Sequence, residues 1–243
     1  MSASVADHYE RVLSPIYAWM QGGVEAAFAA GAAELEQLDL KLPPGSLVVD
    51  LGAGFGMHAV PLARAGAQVI AIDSSGLLLA ELGKHTAGMK VRTVRDDLLS
   101  FRGHVPEKAQ AIFCMGDTLT HLPEHTNVDY LIQEVADVLD RDGRFVLSFR
   151  DYTVPLADEQ RFIPVRSDER RILTCFLDYA EDTVNVYDIL YEREGDAWTT
   201  RVSSYQKLRV SPDHVIGSLE SLGFKTRRST GQRGMVNIVA ELD

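Results

Sequence analysis

Cysteine is nearly absent: Cys114 and Cys175 are the two in 243 residues, too few for a disulfide framework or a thiolate metal site. No stretch approaches the roughly 18 apolar residues of a membrane span. The opening MSASVADHYERVLSPIYAWMQGG has neither the basic start nor the unbroken apolar centre of a signal peptide. A soluble, cytoplasmic protein with no membrane partner is expected. Basic residues are also in deficit, with Lys+Arg 24 against Asp+Glu 35 and a net charge of −11. A surface of that sign repels phosphate backbones, so nucleic acid is not an expected partner. Neither low complexity nor an excess of charge is present. With 46% hydrophobic and 24% charged residues the chain has the composition of a globular domain of one large core.

What is present is a rhythm. The first forty residues read as helical, with apolar positions of VEAAFAAGAAELEQLDL at helical spacing until Pro43-Pro44-Gly45 stops them. Then SLVVDLG, AQVIAID, KVRTV, AIFCM and RFVLSF alternate with helix-like stretches. The clearest helix precedes RFVLSF, with Val128, Leu131, Ile132, Val135, Val138 and Leu139 on one stripe and Gly143 as its stop. Apolar strands alternating with helices predict a parallel sheet covered on both faces. From about Asp151 to Val210 the rhythm breaks. ILTCFLDY, TVNVYDILYER and WTTRVSSYQKLRV are rich in β-branched and aromatic residues, and Glu194-Gly195-Asp196 joins the last two as a hairpin. Ser211-Pro212 opens a final helix, and FKTRRST and VNIVAEL close the chain as strands. The expected organisation is a helical cap over residues 1–42, an α/β domain over 43–150 and 211–243, and an antiparallel β insertion over 151–210.

The stretch VVDLGAGFG runs a buried strand into Gly52, Gly54 and Gly56 just before a helix. Glycines let backbone approach a ligand, and a helix N-terminus offers free N–H groups. The dinucleotide fingerprint G-x-G-x-x-G is missed by one place, because Met57 holds the third glycine's slot. Asp50, two residues before the first glycine, disfavours a pyrophosphate and suits an amino-bearing ligand. Asp73 ends the next strand, where it can take hydrogen bonds from ribose hydroxyls, and Asp97 follows the strand after that. Three acids at successive strand ends call for a ligand with an amino group, a ribose and a base.

This set resembles the class I S-adenosylmethionine-dependent methyltransferases. DLGAGFG is similar to their first motif, VIAIDSS to their second and DDLLSF to the turn that holds adenine. The resemblance implies a Rossmann-like, mostly parallel seven-stranded sheet with helices on both faces and an antiparallel insertion after the fifth strand. It implies S-adenosylmethionine as cofactor, with S-adenosylhomocysteine as product. Asp50 and the loop of Gly52, Ala53, Gly54 and Gly56 would hold the methionine portion. Asp73, beside Ser74, would hold the ribose, and Asp97 with Leu98 the adenine. Met115, at the end of the fourth strand, would lie beside the cofactor. The N-terminal segment with Tyr9, Tyr17, Trp19 and Met20 would fold over it, with Tyr17 at the cofactor and Tyr9 at the substrate. An amphipathic face packed on the core is the alternative for that segment.

The fourth-strand end CMGDTLTHL lacks the Asn/Asp-Pro-Pro-aromatic motif of nucleic-acid amino-methylating members. His121 is the candidate general base, since imidazole titrates near neutrality, with a solvent-facing or capping histidine as the alternative. Arg150 and Tyr152 follow the fifth strand and are candidate substrate contacts, against a surface Arg150–Asp151 pair. His58 is expected in the first turn of the glycine-loop helix. His8, His85, His104, His125 and His214 are expected at the surface, and Cys114 and Cys175 in the core. Pro123 spoils the His121/His125 spacing, so no metal is expected. The expected reaction is methyl transfer to a nitrogen or oxygen of a small molecule, as in glycine-type and sugar-amine N-methyltransferases, with a homodimer as the expected assembly. Two rivals share the sheet: a non-catalytic cofactor-binding module and a nicotinamide oxidoreductase. The latter is disfavoured by the glycine spacing and by the lack of a Tyr-x-x-x-Lys pair.

Overall fold

The computed structural model describes residues 8–242. Five parallel strands form one side of a seven-stranded sheet, out to its β3 edge: β1 (Leu47–Leu51), β2 (Gln68–Asp73), β3 (Val91–Arg95), β4 (Ala109–Cys114) and β5 (Leu139–Phe149). Two more come from the end of the chain, β10 (Phe224–Thr230) and β11 (Val236–Leu242), and β11 runs antiparallel to β5. The spatial order is β10-β11-β5-β4-β1-β2-β3. It reverses direction at β1, so the crevice over the carboxyl ends of β1 and β4 is where such a sheet binds ligands.

Helices cover both faces. α1 (Val24–Gln37), α2 (Ala59–Arg64) and α3 (Gly76–His85) precede or follow the first strands, and α4 (His125–Val138) and α5 (Pro212–Ser221) come later. β1 is buried at all five positions, as a central strand covered twice must be. The apolar stripe of α4, from Val128 to Val138, is buried against Ile112, Phe145 and Leu147 of the sheet. Each such side chain contributes about 1.5–3 kcal/mol by leaving water. α4 ends at Val138, before the expected Gly143, because Leu139 already pairs with Ala109 of β4. Ser211 caps α5 as read from the sequence, its hydroxyl accepting the His214 N–H at 3.3 Å.

Between β5 and α5 the chain builds a second, antiparallel sheet of four strands in sequential order. These are β6 (Phe162–Ser167), β7 (Arg171–Tyr179), β8 (Thr183–Glu194) and β9 (Ala197–Leu208). β6 was not expected: it is short, contains Pro164 and shifts register between Pro164 and Arg166. The inner face of this sheet carries Leu177, Val184, Val186 and Tyr205, from β7, β8 and β9, packed with Tyr152. The described N-terminal segment is helical but irregular, passing from a π-turn (Tyr9–Leu13) through a 3₁₀ turn (Ser14–Ile16) to one α-turn (Tyr17–Met20). It runs between the two sheets, with Ile16 packed on Leu173 and Leu190 of the antiparallel one.

Candidate active site

The glycine loop after β1 has the conformation its composition requires. Gly52, Gly54 and Gly56 all have positive φ, at 72°, 55° and 98°. A Cβ on Gly52 would lie 2.4 Å from Thr118 Cγ2, so this glycine lets the β4 loop close against the β1 loop. A Cβ on Gly54 would meet nothing within 4 Å. Beyond it lies a cleft walled by Gly52, Ala53, Gly54, Asp73, Ser74, Asp97, Leu98 and Met115. Asp73 is fixed at its mouth: Oδ2 accepts the Gly54 N–H at 2.7 Å and Oδ1 the Ser75 N–H at 2.8 Å. Each oxygen keeps a lone pair for a hydroxyl. Burial raises the Asp73 pKa, partly offset by those two amide bonds. Asp97 caps the turn after β3 by accepting the Leu99 N–H at 2.8 Å. That turn presents Leu98, which with Leu78, Leu122 and Pro123 gives the far end of the cleft an apolar lining.

A second cavity opens from the first. Tyr9, Tyr17, Met57, His58 and Gly116 wall both. Its other walls are the inner face of the antiparallel sheet (Ile163, Leu177, Val186), the end of β5 (Arg150, Tyr152) and the turn before β11 (Gln232, Arg233, Met235). At its base sits Asp117, buried and in a left-handed conformation at φ 77°. Its Oδ1 accepts the Arg150 N–H at 2.9 Å and the Thr120 hydroxyl at 3.1 Å, while Oδ2 accepts the Tyr152 hydroxyl at 2.9 Å and the Lys207 ammonium. Burial alone would raise the Asp117 pKa. Lys207 and the donated hydrogen bonds outweigh burial and hold it below its ordinary value. This one carboxylate therefore joins β4, β5 and β9. Tyr205 stacks between His8, at 4.3 Å, and His121, at 5.5 Å.

Residues 48–143 match the family model described as a methyltransferase domain. A glycine/sarcosine N-methyltransferase from Aphanothece halophytica is 30% identical over 111 residues, 45% of this chain and 42% of that protein. A magnesium-protoporphyrin O-methyltransferase from Synechocystis is 32% identical over 118 residues, 46% and 48% of the two chains. The chain thus aligns with less than half the length of these curated relatives. The solved structure of an S-adenosylmethionine-bound amino pentose methyltransferase from Micromonospora echinaspora superposes with a TM-score of 0.79 at 14% identity, over 96% of this chain and 97% of that one. This is a class I methyltransferase fold.

Within the methyltransferase fold, the expected residues divide. Gly52, Ala53, Gly54, Asp73, Ser74, Asp97, Leu98, Met115 and Tyr17 do wall one cleft. Asp50 does not. It is buried beneath the loop, with Oδ2 lacking a partner among the described residues, and desolvation pushes its pKa up to about 6. Gly56 is also set back, because its Cα faces Leu82 and Val60 rather than the cleft. Arg150, Tyr152 and Tyr9 reach the second cavity. Arg150 does not pair with Asp151; its Nη1 donates to the Arg233 carbonyl at 3.2 Å. His121 lies on the cleft rather than the second cavity, 3.2 Å from the Tyr9 hydroxyl through Nε2. It does not titrate near neutrality: burial, then the Lys207 charge, pushes it down to about 3.

Other histidines depart further. His8, expected at the surface, is buried, with Nε2 2.8 Å from Asp188 Oδ2 and Nδ1 2.7 Å from Ser203 Oγ. His58 stands at the N-terminal boundary of α2 without a side-chain cap bond and is buried, with Nε2 3.0 Å from Glu34 Oε2. Cys114 is core, whereas Cys175 walls the second cavity and donates to Asp188 Oδ1 at 2.9 Å. Glu34, Asp117, Asp188, Tyr205 and Lys207 were not singled out from sequence. Two of them carried a signal. Asp188 sits in phase with Val184, Val186 and Leu190, and Lys207 in phase with Tyr205, so both charges occupy inward positions of alternating strands.

Proposed function

We propose that this chain transfers a methyl group from S-adenosylmethionine to a small molecule, with nitrogen favoured over oxygen as the acceptor atom. The observation that carries the reading is the pair of connected spaces. One has a hydroxyl-binding acid and an apolar end suited to adenosine; the other is half-enclosed and roofed by the antiparallel sheet. Asp73 would hold the ribose, Leu98 and Leu78 the adenine, and the backbone at Gly52 to Gly54 the chain leading to sulfur. The cofactor supplies a methyl already activated by its sulfonium. Alignment and exclusion of water are then the protein's task, worth up to about 7–11 kcal/mol. Tyr9 and Tyr17, which close the junction, serve that end. Nitrogen is favoured because the His121 imidazole, on the cleft and bonded to Tyr9, is a weak base, at about 3, and burial raises the pKa of Tyr9, Tyr152 and Tyr205 above the ordinary phenol value. A neutral amine needs no base, while an alcohol does. The net charge of −11 supports a small molecule over nucleic acid as the acceptor.

Calorimetry with S-adenosylmethionine, S-adenosylhomocysteine and NAD tests the cofactor, followed by transfer of a labelled methyl to a panel of amines and alcohols. The expected result is binding of the first two ligands, none of NAD, and label in amines. Tight NAD binding without S-adenosylmethionine binding would overturn the reading. Label found in alcohols alone would reverse the acceptor atom.

A further inference from the structure

α1 lies directly on the glycine loop because Gly31 has no side chain: a Cβ there would fall 2.0 Å from the Met57 carbonyl oxygen. That close approach sets the next residues of each element together. Glu34, one helical turn beyond Gly31, meets His58, the residue after Met57, at 3.0 Å. The contact uses one carboxylate oxygen. The other, Glu34 Oε1, is buried without a partner among the described residues, although the side chain is 2% exposed and forms part of the second cavity's wall.

The neighbouring carboxylates differ. Asp117 is saturated by four donors, and Asp188 receives His8 and Cys175. Asp50, buried beneath the glycine loop, also has its Oδ2 unpartnered among the described residues. Two buried carboxylates thus each keep an open oxygen, and His58 meets only Glu34 by a hydrogen bond. Native interiors rarely leave such atoms unmet, since each has given up water without gaining a partner. An acceptor-only or anionic ligand group would deepen the imbalance, whereas an N–H donor, and most strongly a cationic one, would relieve it.

We propose that Glu34, oriented by His58, receives an ammonium or N–H group of a ligand bound in the second cavity, beside the His58 side chain that walls both cavities. Two sources share this chemistry: the α-ammonium at the amino-acid end of the cofactor, and the amine of an acceptor. Glu34 is the binding residue and His58 a positioning residue, because it fixes the rotamer of the carboxylate. The first source rests on the cofactor proposed above; the second does not.

The test compares Glu34→Gln with the full wild-type chain against three probes. They are S-adenosylhomocysteine, 5′-methylthioadenosine (the nucleoside without the amino-acid end) and ethanolamine. If the nitrogen is the cofactor's, the variant binds S-adenosylhomocysteine about tenfold or more weakly, while 5′-methylthioadenosine affinity changes less than about twofold. If it is the acceptor's, both nucleosides bind unchanged. Ethanolamine then raises the melting temperature of the wild-type chain but not of the variant. Either pattern supports the site. Parallel weakening of both nucleosides, or wild-type responses to all three probes, overturns it. His58→Asn should reproduce the chosen pattern at reduced size, which a purely structural role would not do. Should Glu34→Gln fail to fold, Glu34→Asp keeps the charge one methylene short and should show the same selectivity in part. A wild-type chain that binds neither nucleoside defeats the cofactor reading, while the ethanolamine arm, run without nucleoside, still reports on Glu34.

Discussion

At the scale of single residues, burial decides what each ionisable group can do. Asp73 is held by two backbone amides and faces the cleft. Its replacement by alanine should remove one or two hydrogen bonds to a charged acceptor. Calorimetry should then show a loss of about 1–3 kcal/mol in S-adenosylhomocysteine affinity. His121 carries a pH signature. Its folded pKa, about 3, lies below the ordinary 6.5, so the folded chain binds fewer protons than the unfolded one throughout that window. Its contribution is complete above pH 6.5 and is lost as pH falls toward 3. The melting temperature should therefore fall on acidification, and His121→Gln should fall less steeply over the same range. Parallel pH profiles for the two proteins would show that the imidazole is not neutral when folded. Glycine loop, Asp73 and Asp97 could be located from sequence because their chemistry is set by short spacing and strand ends. His8 and Glu34 could not, since each owes its burial to an element far away in the chain, at Asp188 and at His58.

Among the elements, the parallel strands were legible because burial on both faces leaves an uninterrupted apolar run, and α4 because its stripe repeats at helical spacing. The antiparallel sheet was read in part. Three of its strands announce themselves by β-branched and aromatic residues, but β6 is an edge strand with a proline and mixed exposure, which leaves little pattern. Helix α1 shows how a single glycine can matter more than a whole apolar face. Gly31→Ala should push α1 away from the Met57 carbonyl, lower the melting temperature and weaken binding in the cleft. Gly217 in α5 is the control, since a Cβ there would meet nothing within 4 Å. Gly217→Ala should stabilise the protein by about 0.5–1 kcal/mol in denaturant unfolding. Equal effects at the two positions would mean that helix propensity alone, and not the contact with the loop, governs Gly31.

For the molecule as a whole, the two sheets are separate layers joined through the site. Asp117 links the β4 loop to Lys207 of β9, and the N-terminal segment threads between them. That segment is tied at several points: Ser14 and Glu10 to Ser75, Tyr9 to His121, and His8 to Asp188 and Ser203. His8→Ala removes the segment's bonds to Asp188 and Ser203, leaving the packing of Ile16 on Leu173 and Leu190 as its hold on the antiparallel sheet and Cys175 as the partner of Asp188. Amide hydrogen exchange over residues 9–20 should rise, and S-adenosylhomocysteine should leave faster than from the wild type. Unchanged exchange in that segment would place its anchoring elsewhere.

The His8–Ser203 contact also spans 195 residues, nearly the full described chain. At about 5–20 residues per second of synthesis, roughly 10–40 s separate the emergence of the two partners from the ribosome. Tyr9 and Tyr17 are made well before β8 and β9 and must wait for them before the cavity they wall is complete. During translation the glycine loop can therefore form well before its cover. Until β9 is made, the aromatic segment lacks the antiparallel sheet that its His8 and Ile16 contacts use, and β11, made later still, has yet to pair with β5.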